Sequence, residues 1–256
     1  MIHATAIVHP KAKLAEGVTV GAFSIIGEQV ELGEACSVGA HVVIEGRTRI
    51  GARNRIFHFA AIGGQPQDKK YAGEDTALEI GDDNTIREYV TISCGTAQDV
   101  GVTRLGNDNW IMAYTHIAHD CQVGSHAILA NLTQLAGHVR VDDWAILGGG
   151  SLVHQFVHIG AHSFVGVGTR LTQDLPPYVT VSGAEPKPYG INSEGLRRRG
   201  YSAQAIDEIK RAYRTLYRSG LSLDDAKREL AAQAESCPEV IPLIEFLRDS
   251  NRGIVR

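Results

Sequence analysis

The sequence predicts a mainly β protein: a parallel β-helix of hexapeptide repeats followed by a small C-terminal α-helical domain. Three observations predict it. An aliphatic residue recurs at every sixth position through most of the first 171 residues. A small residue usually follows four places later. After about Gly195 the apolar period becomes helical.

The hexads open at Ile2 (IHATAI, VHPKAK, LAEGVT, VGAFSI) and run without exception to Ile62. Three more begin at Ile80, Ile86 and Ile92, and a further set runs from Leu105 to Leu171. An amphipathic helix cannot keep one face with period six, and a plain strand alternates with period two. Three hexads make one triangular coil of about 18 residues, with coils stacked about 4.8 Å apart. Glycine, frequent at the second hexad position, is expected to relieve the tight turn. Cys36 and Cys121 fall at the small fifth position and are expected in the core. Two breaks in the count, about 68–79 and 98–104, carry "DKKYAGEDT" and "QDVGVTR" and read as loops inserted into a rigid scaffold, where function often resides.

The hexads are expected to stop after Pro176-Pro177, with "SGAEPKPYGIN" as connector. That divides the chain into a β-helix over residues 1–190 and a helical domain over 191–256. Ile206, Ile209, Tyr213, Leu216 and Tyr217 form one helical stripe, capped by Ser202 at its start and followed by Gly220. Ser222 with Asp225 caps a second helix through Ala234, and Pro238 opens a third.

The balance of 25 basic against 29 acidic residues, net charge −4, argues against a chain built to hold nucleic acid or a membrane surface. No apolar run of about 18 residues is present, so no stable membrane insertion is expected. The start lacks the build of a signal peptide. The four cysteines are scattered without a C-x-x-C, which suggests a reducing cytoplasm.

Seven of the eleven histidines fall between 116 and 162. Adding one 18-residue coil to His119 gives Gly137, then Gln155. Asp120, His138 and Phe156 form the adjacent column, Ala118, Ala136 and His154 the one on the other side, and His116 ends the preceding hexad. Three readings compete for this patch. Outward histidines can be ordinary surface residues, the reading favoured for His126, His158 and His162. Histidines of facing coils can hold zinc between subunits, though a hydrolytic site also needs a fixed three-ligand geometry. Or His119 is an acid–base group near neutral pH. Asp120 would support it, although neighbours on a strand usually point apart, and the Gly137 N–H, with no side chain in the way, suits an oxyanion.

The segments "THIAHDCQVG", "LAGHVRVDDWAILGG", "LVHQFVHIGAHSFVG", "QPQDKKYAGE" and "GINSEGLRRRG" together closely resemble the acyl-carrier-protein-dependent UDP-N-acetylglucosamine O-acyltransferases that start lipid A synthesis. The resemblance covers nearly the whole chain. It implies a homotrimer of left-handed β-helices with sites in the clefts between subunits. It implies transfer of a 3-hydroxyacyl group from acyl carrier protein to the 3-hydroxyl of UDP-N-acetylglucosamine, with no metal and no cofactor. By motif, His119 is the general base, Asp120 its support and Gly137 the oxyanion donor. His116, His138, His154 and Gln155 bind the sugar nucleotide or acyl group, and Asp68 and Lys70 contact substrate from the first insertion. Asn192, Glu194, Arg198 and Arg199 reach the nucleotide. Val167 stands where members using long acyl chains carry glycine, which implies a shorter chain. "TISCGT" places Ser93 and Cys94 where many members have a histidine and a basic residue, and Glu185 stands where some carry histidine. Arg197 to Arg199 with Arg211, Arg214 and Arg218 suggest a dock for the acidic carrier protein. The rivals are N-acylation of the 3-amino analogue, a metal-dependent β-helix hydratase, and a purely structural solenoid.

Overall fold

The computed structural model describes residues 1–250 and 252–256. The sixth residue of one hexad and the first of the next form a short strand, and strands one coil apart pair in parallel. Ile7 pairs with Ile25, Ile25 with Val43, and Val43 with Ala61. Three parallel sheets result. Sheet I has nine strands, from Ile7–Val8 to Arg170–Leu171. Sheet II has eight, from Lys13–Leu14 to His158–Ile159. Sheet III has ten, beginning at Thr19–Val20 and ending with an antiparallel strand, Lys187–Ile191.

The aliphatic first position fills the prism: Ile44, Ile86, Ile117 and Leu135 have no accessible surface. Each such burial stabilises the fold by about 1.5–3 kcal/mol. Cys36 and Cys121 are likewise fully buried, and the apolar surroundings push the Cys121 thiol up to about 12. At three fifth positions an asparagine replaces the small residue. Asn54, Asn84 and Asn109 stack as a buried ladder, each amide bonded to the next at 2.9–3.0 Å.

The glycine expectation needs correction. The tight turn lies at the fourth hexad position, where Phe23, Ala35, Leu132 and Trp144 all have φ between 56° and 64°. These residues accept a left-handed cost of about 1–2 kcal/mol each. Glycine at the second position answers a different demand. A Cβ on Gly21 or Gly33 would stand 2.5 Å from the backbone of the next coil.

The hexads also continue beyond Pro176-Pro177. Leu175 bridges to Ile159, and Val181 pairs with Val165; both are fully buried. Leu171 and Leu175 are only four apart, so the last coil is two residues short at that step and drops out of a count by six.

Four helices follow: α1 (Ser193–Arg198), α2 (Ala203–Arg218), α3 (Leu223–Ala234) and, after a 3₁₀ turn at Pro238–Val240, α4 (Ile241–Asp249). Ser202 and Ser222 cap α2 and α3 as their spacing predicts, accepting from Ala205 N–H and Asp225 N–H. Tyr213 joins the β-helix core, and His158 packs against Phe246 of α4 at 4.4 Å. Among the described residues no helix is long and apolar enough to cross a membrane.

Candidate active site

Both insertions leave the same edge of the prism, where sheet I turns into sheet II. The first lies between strands Ala61–Gly64 and Ala77–Ile80, the second between Thr91–Ser93 and Val102–Leu105. His119 and Asp120 occupy that edge too, one coil above the second insertion. The 18-residue columns are present: His138 N–H donates to the His119 carbonyl at 3.0 Å, and Phe156 N–H to the Gly137 carbonyl at 3.2 Å. The His138 ring stacks on Phe156 at 4.3 Å and meets His119 edge-on at 4.9 Å.

His119 and Asp120 do not point apart, because they belong to the turn and not to a strand. Asp120 takes the left-handed fourth position (φ 59°), which swings its carboxylate back so that Oδ2 lies 2.9 Å from His119 Nδ1. The Asp120 side chain is inaccessible. Thr96 donates to it from N–H, shared between both oxygens at 3.0 and 3.1 Å, and from Oγ–H at 2.6 Å. The tautomer that this bond suits has the proton on Nδ1, which leaves the lone pair to Nε2. Gly137 borders that ring. A Cβ there would stand 2.5 Å from Cε1 and 2.7 Å from Nε2 of His119, so only glycine leaves the imidazole its place.

His119, Asp120 and His138 each offer an atom within 4.8 Å of the others, the outline of a metal trio. Their donors are committed elsewhere. Nδ1 of His119 faces Asp120, Nδ1 of His138 faces Asp99 at 2.5 Å, and Asp120 is taken up by Thr96. Each of these atoms is thus already engaged by a protein group.

His116, on sheet I, bonds Thr91 Oγ1 at 2.7 Å; burial and then the neighbouring His119 hold its pKa below the usual range. It lines a groove of about 390 Å³ with Leu152, His154 and Arg170, beside the His119 edge. Gln155 is exposed nearby. A larger concavity of about 800 Å³ lies on sheet II among Arg49, Glu79, Arg104 and Arg140, and holds none of the residues singled out by sequence. Asp68 and Lys70 are in the first insertion, where Asp68 accepts the Lys70 N–H at 2.9 Å.

The remaining predicted residues lie elsewhere in the chain. Asn192 caps α1 and donates to the His162 carbonyl, at the edge between sheets II and III. Glu194 pairs with Arg197 and Arg198. Arg199 turns inward, donating to the Trp144 carbonyl at 3.1 Å and lying 5.0 Å over its ring. His162 is wedged among Trp144, Tyr178 and Tyr201, so the surface reading does not hold for it. Val167, 78% exposed, sits at the third edge, between sheets III and I. Sequence reading missed Thr96, Thr103 and Asp99. Asp99 and Thr103 lie within the second break, which was marked only as a loop, and Thr96 lies just before it.

Comparison with known proteins bears on the whole chain. A model described as UDP-N-acetylglucosamine O-acyltransferase, domain 2, matches residues 174–255, and the bacterial transferase hexapeptide (six repeats) matches 11–46 and 103–137. The acyl-[acyl-carrier-protein]–UDP-N-acetylglucosamine O-acyltransferase of Janthinobacterium sp. (strain Marseille) is 57% identical, the match covering 100% of this chain and 99% of the relative. That of Thiobacillus denitrificans is 55% identical with the same coverage. Among solved structures, LpxA from Acinetobacter baumannii has a TM-score of 0.97 at 45% identity, covering 100% of this chain and 99% of that one. The UDP-N-acetylglucosamine acyltransferase of Francisella novicida gives 0.98 at 42%, covering 100% and 94%. The fold is the left-handed parallel β-helix with a short helical tail. Matched at 55–57% identity over its full length, the chain belongs to the acyl-[acyl-carrier-protein]–UDP-N-acetylglucosamine O-acyltransferase family.

Proposed function

We propose that this chain moves a 3-hydroxyacyl group from acyl carrier protein to the 3-hydroxyl of UDP-N-acetylglucosamine, the opening step of lipid A synthesis, with His119 as general base. One observation carries the mechanism: a buried imidazole bonded through Nδ1 to a buried carboxylate, its other nitrogen against Gly137. Nε2 takes the proton of the sugar hydroxyl as its oxygen attacks the thioester carbonyl. The Gly137 N–H, which donates to no described protein group, holds the oxyanion. Collapse breaks the C–S bond, and the thiolate of the carrier takes the proton back from His119. Asp120 stabilises the imidazolium between these steps. A thioester is already activated, so the reaction needs no metal and no cofactor. The relatives named above are O-acyltransferases, which favours the hydroxyl over the amine as acceptor.

The sheet I groove suits the acyl chain or sugar, contacted by His116, His138, His154 and Gln155, with Asp68 and Lys70 contacting substrate from the first insertion. Asn192, Glu194, Arg198 and Arg199 serve the nucleotide from a neighbouring copy. Two features support a homotrimer. Phe23, His41, Phe59, Tyr89 and Tyr114 stack at 4.8–5.1 Å along the edge between sheets III and I. Phe23, Phe59, Tyr89 and Tyr114 are exposed there, and sheet I adds exposed Ile7, Ile25 and Leu152. Such a rail calls for cover, whereas sheet II presents Arg49, Glu79, Arg104 and Arg140. Three copies with that rail on a common axis bring the His119 edge of one beside the Arg198 edge of the next. The same arrangement turns Val167 toward the inner end of the groove.

The carrier protein is acidic, and Lys210, Arg214 and Arg218 of α2 line adjoining grooves with Lys187. Arg197 and Arg198 are paired with Glu194, and Lys210 and Arg211 with Asp207 and Glu208, which moves the dock from the triple arginine to Arg214 and Arg218 of α2. The four cysteines, all free and buried, fit the cytoplasm as compartment. The test is His119→Ala, purified and sedimenting like the parent trimer. We expect turnover to fall by about three orders of magnitude or more. Near-normal turnover, or a monomeric parent, overturns the reading.

A further inference from the structure

In a regular coil the N–H at the fourth position donates to the third-position carbonyl one coil below, as His138 does to His119 and Phe156 to Gly137. Asp120 lacks that partner, because the second insertion interrupts the coil beneath it. The Thr103 hydroxyl takes the place of the missing carbonyl, accepting the Asp120 N–H at 2.8 Å. At the other end of the same insertion Thr96 supplies two donors to the carboxylate, its N–H shared between both oxygens and its hydroxyl on Oδ2. Thr96 and Thr103 are both inaccessible, so neither reaches into the cleft. The two ends of the loop therefore grip one residue from opposite sides, by backbone and by side chain.

We propose that the second insertion is a positioning clamp: Thr96 and Thr103 hold Asp120, and through it the tautomer and ring orientation of His119. This rests on the reading of His119 as the base. A carboxylate bonded only to an imidazole can rotate or take the proton itself. With Thr96 Oγ–H on Oδ2, the oxygen that meets Nδ1 is held in place and kept an acceptor. Asp120 in turn needs its left-handed turn, and the turn needs an acceptor for its N–H, which Thr103 provides. Removing the hydroxyl of Thr96 leaves the shape of the side chain and both backbone bonds intact. It removes only what orients the carboxylate.

The experiment compares Thr96→Val, Thr96→Ser and His119→Ala in the full-length protein, reading kcat and KM for UDP-N-acetylglucosamine with a 3-hydroxyacyl carrier protein. Thr96→Val is expected to lose about tenfold or more in kcat, with KM within about twofold, because binding groups are untouched and only base orientation suffers. Thr96→Ser, which restores the hydroxyl, is expected within about threefold of the parent. The clamp is overturned if Thr96→Val keeps the parental kcat while His119→Ala is inactive; in that case the base reading stands alone. It is also overturned if Thr96→Ser fails as badly as Thr96→Val, which would mark a packing role. An active His119→Ala removes both the clamp and the reading beneath it.

Discussion

Two edges of the same prism put histidines on the same turn and make different things of them. At the edge between sheets I and II, His119 and Asp120 occupy the third and fourth hexad positions, and an inserted loop feeds donors to the carboxylate. At the edge between sheets II and III, His162 occupies the fourth position and is packed between Trp144 and Tyr178, with Tyr201 edge-on. Its nearest charged neighbour is Arg199, whose Nη1 lies 3.3 Å from Nδ1. Burial first, and then that guanidinium, push the His162 pKa down to about 4, against a weaker pull from Asp143. One imidazole is paired with an anion and set up to accept charge; the other is kept neutral as a structural ring. The repeat places both, and the neighbours alone decide which can take part in proton transfer.

The comparison breaks most visibly at Gly137. A Gly137→Ala side chain would overlap the His119 ring, at 2.5 Å from Cε1, while the backbone at that position suits any residue. Turnover should fall about a hundredfold, the scale of an ångström of misplacement, with melting temperature little changed. Full activity in a folded Gly137→Ala protein would mean the base does not lie against that glycine during turnover.

A smaller effect is expected at the third edge, where Val167 stands exposed. Val167→Gly should raise the ratio of kcat/KM for long over short 3-hydroxyacyl donors by about tenfold. An unchanged ratio removes Val167 from chain-length selection.

The smallest effect sharpens the other side of the comparison. The unfolded chain protonates His162 near 6.5, while the folded chain resists until about 4. Between those values the unfolded state binds more protons, so stability present above pH 6.5 drains away as pH falls toward 4. In urea titrations the parent should lose midpoint more steeply across that window than His162→Phe does. Parallel slopes would mean that the ring titrates alike in both states.

Much of this was legible in the residues. A period of six allows few folds, so the coils, the fully buried Cys36 and Cys121, and the columns through His119 and Asp120 follow from counting. The Ser202 and Ser222 caps are equally local, since a cap involves only its own helix turn. What escaped counting depended on backbone conformation or on distant partners. Asp120 reaches His119 only because its φ is positive, and no local rule marks the fourth hexad position for that, since residues as different as Phe23 and Trp144 share it. The last coil hid behind a single four-residue step from Leu171 to Leu175. The resemblance pairs Arg199 with Arg198 as a nucleotide contact, yet Trp144, more than fifty positions earlier, draws it inward.

By itself, then, the sequence determined the β-helix, the spacing that gathers His119, Gly137 and His138 at one edge, and the helical tail. Each is written in periodicity and short-range capping, which act over a few residues. Tertiary structure alone decided that Thr96 and Thr103 close around Asp120, that His162 is a neutral wedge, and that the predicted nucleotide residues lie on a different edge from the base. Those outcomes depend on which groups meet across coils and insertions, where burial and the nearest charge set the chemistry of side chains that look alike in one dimension.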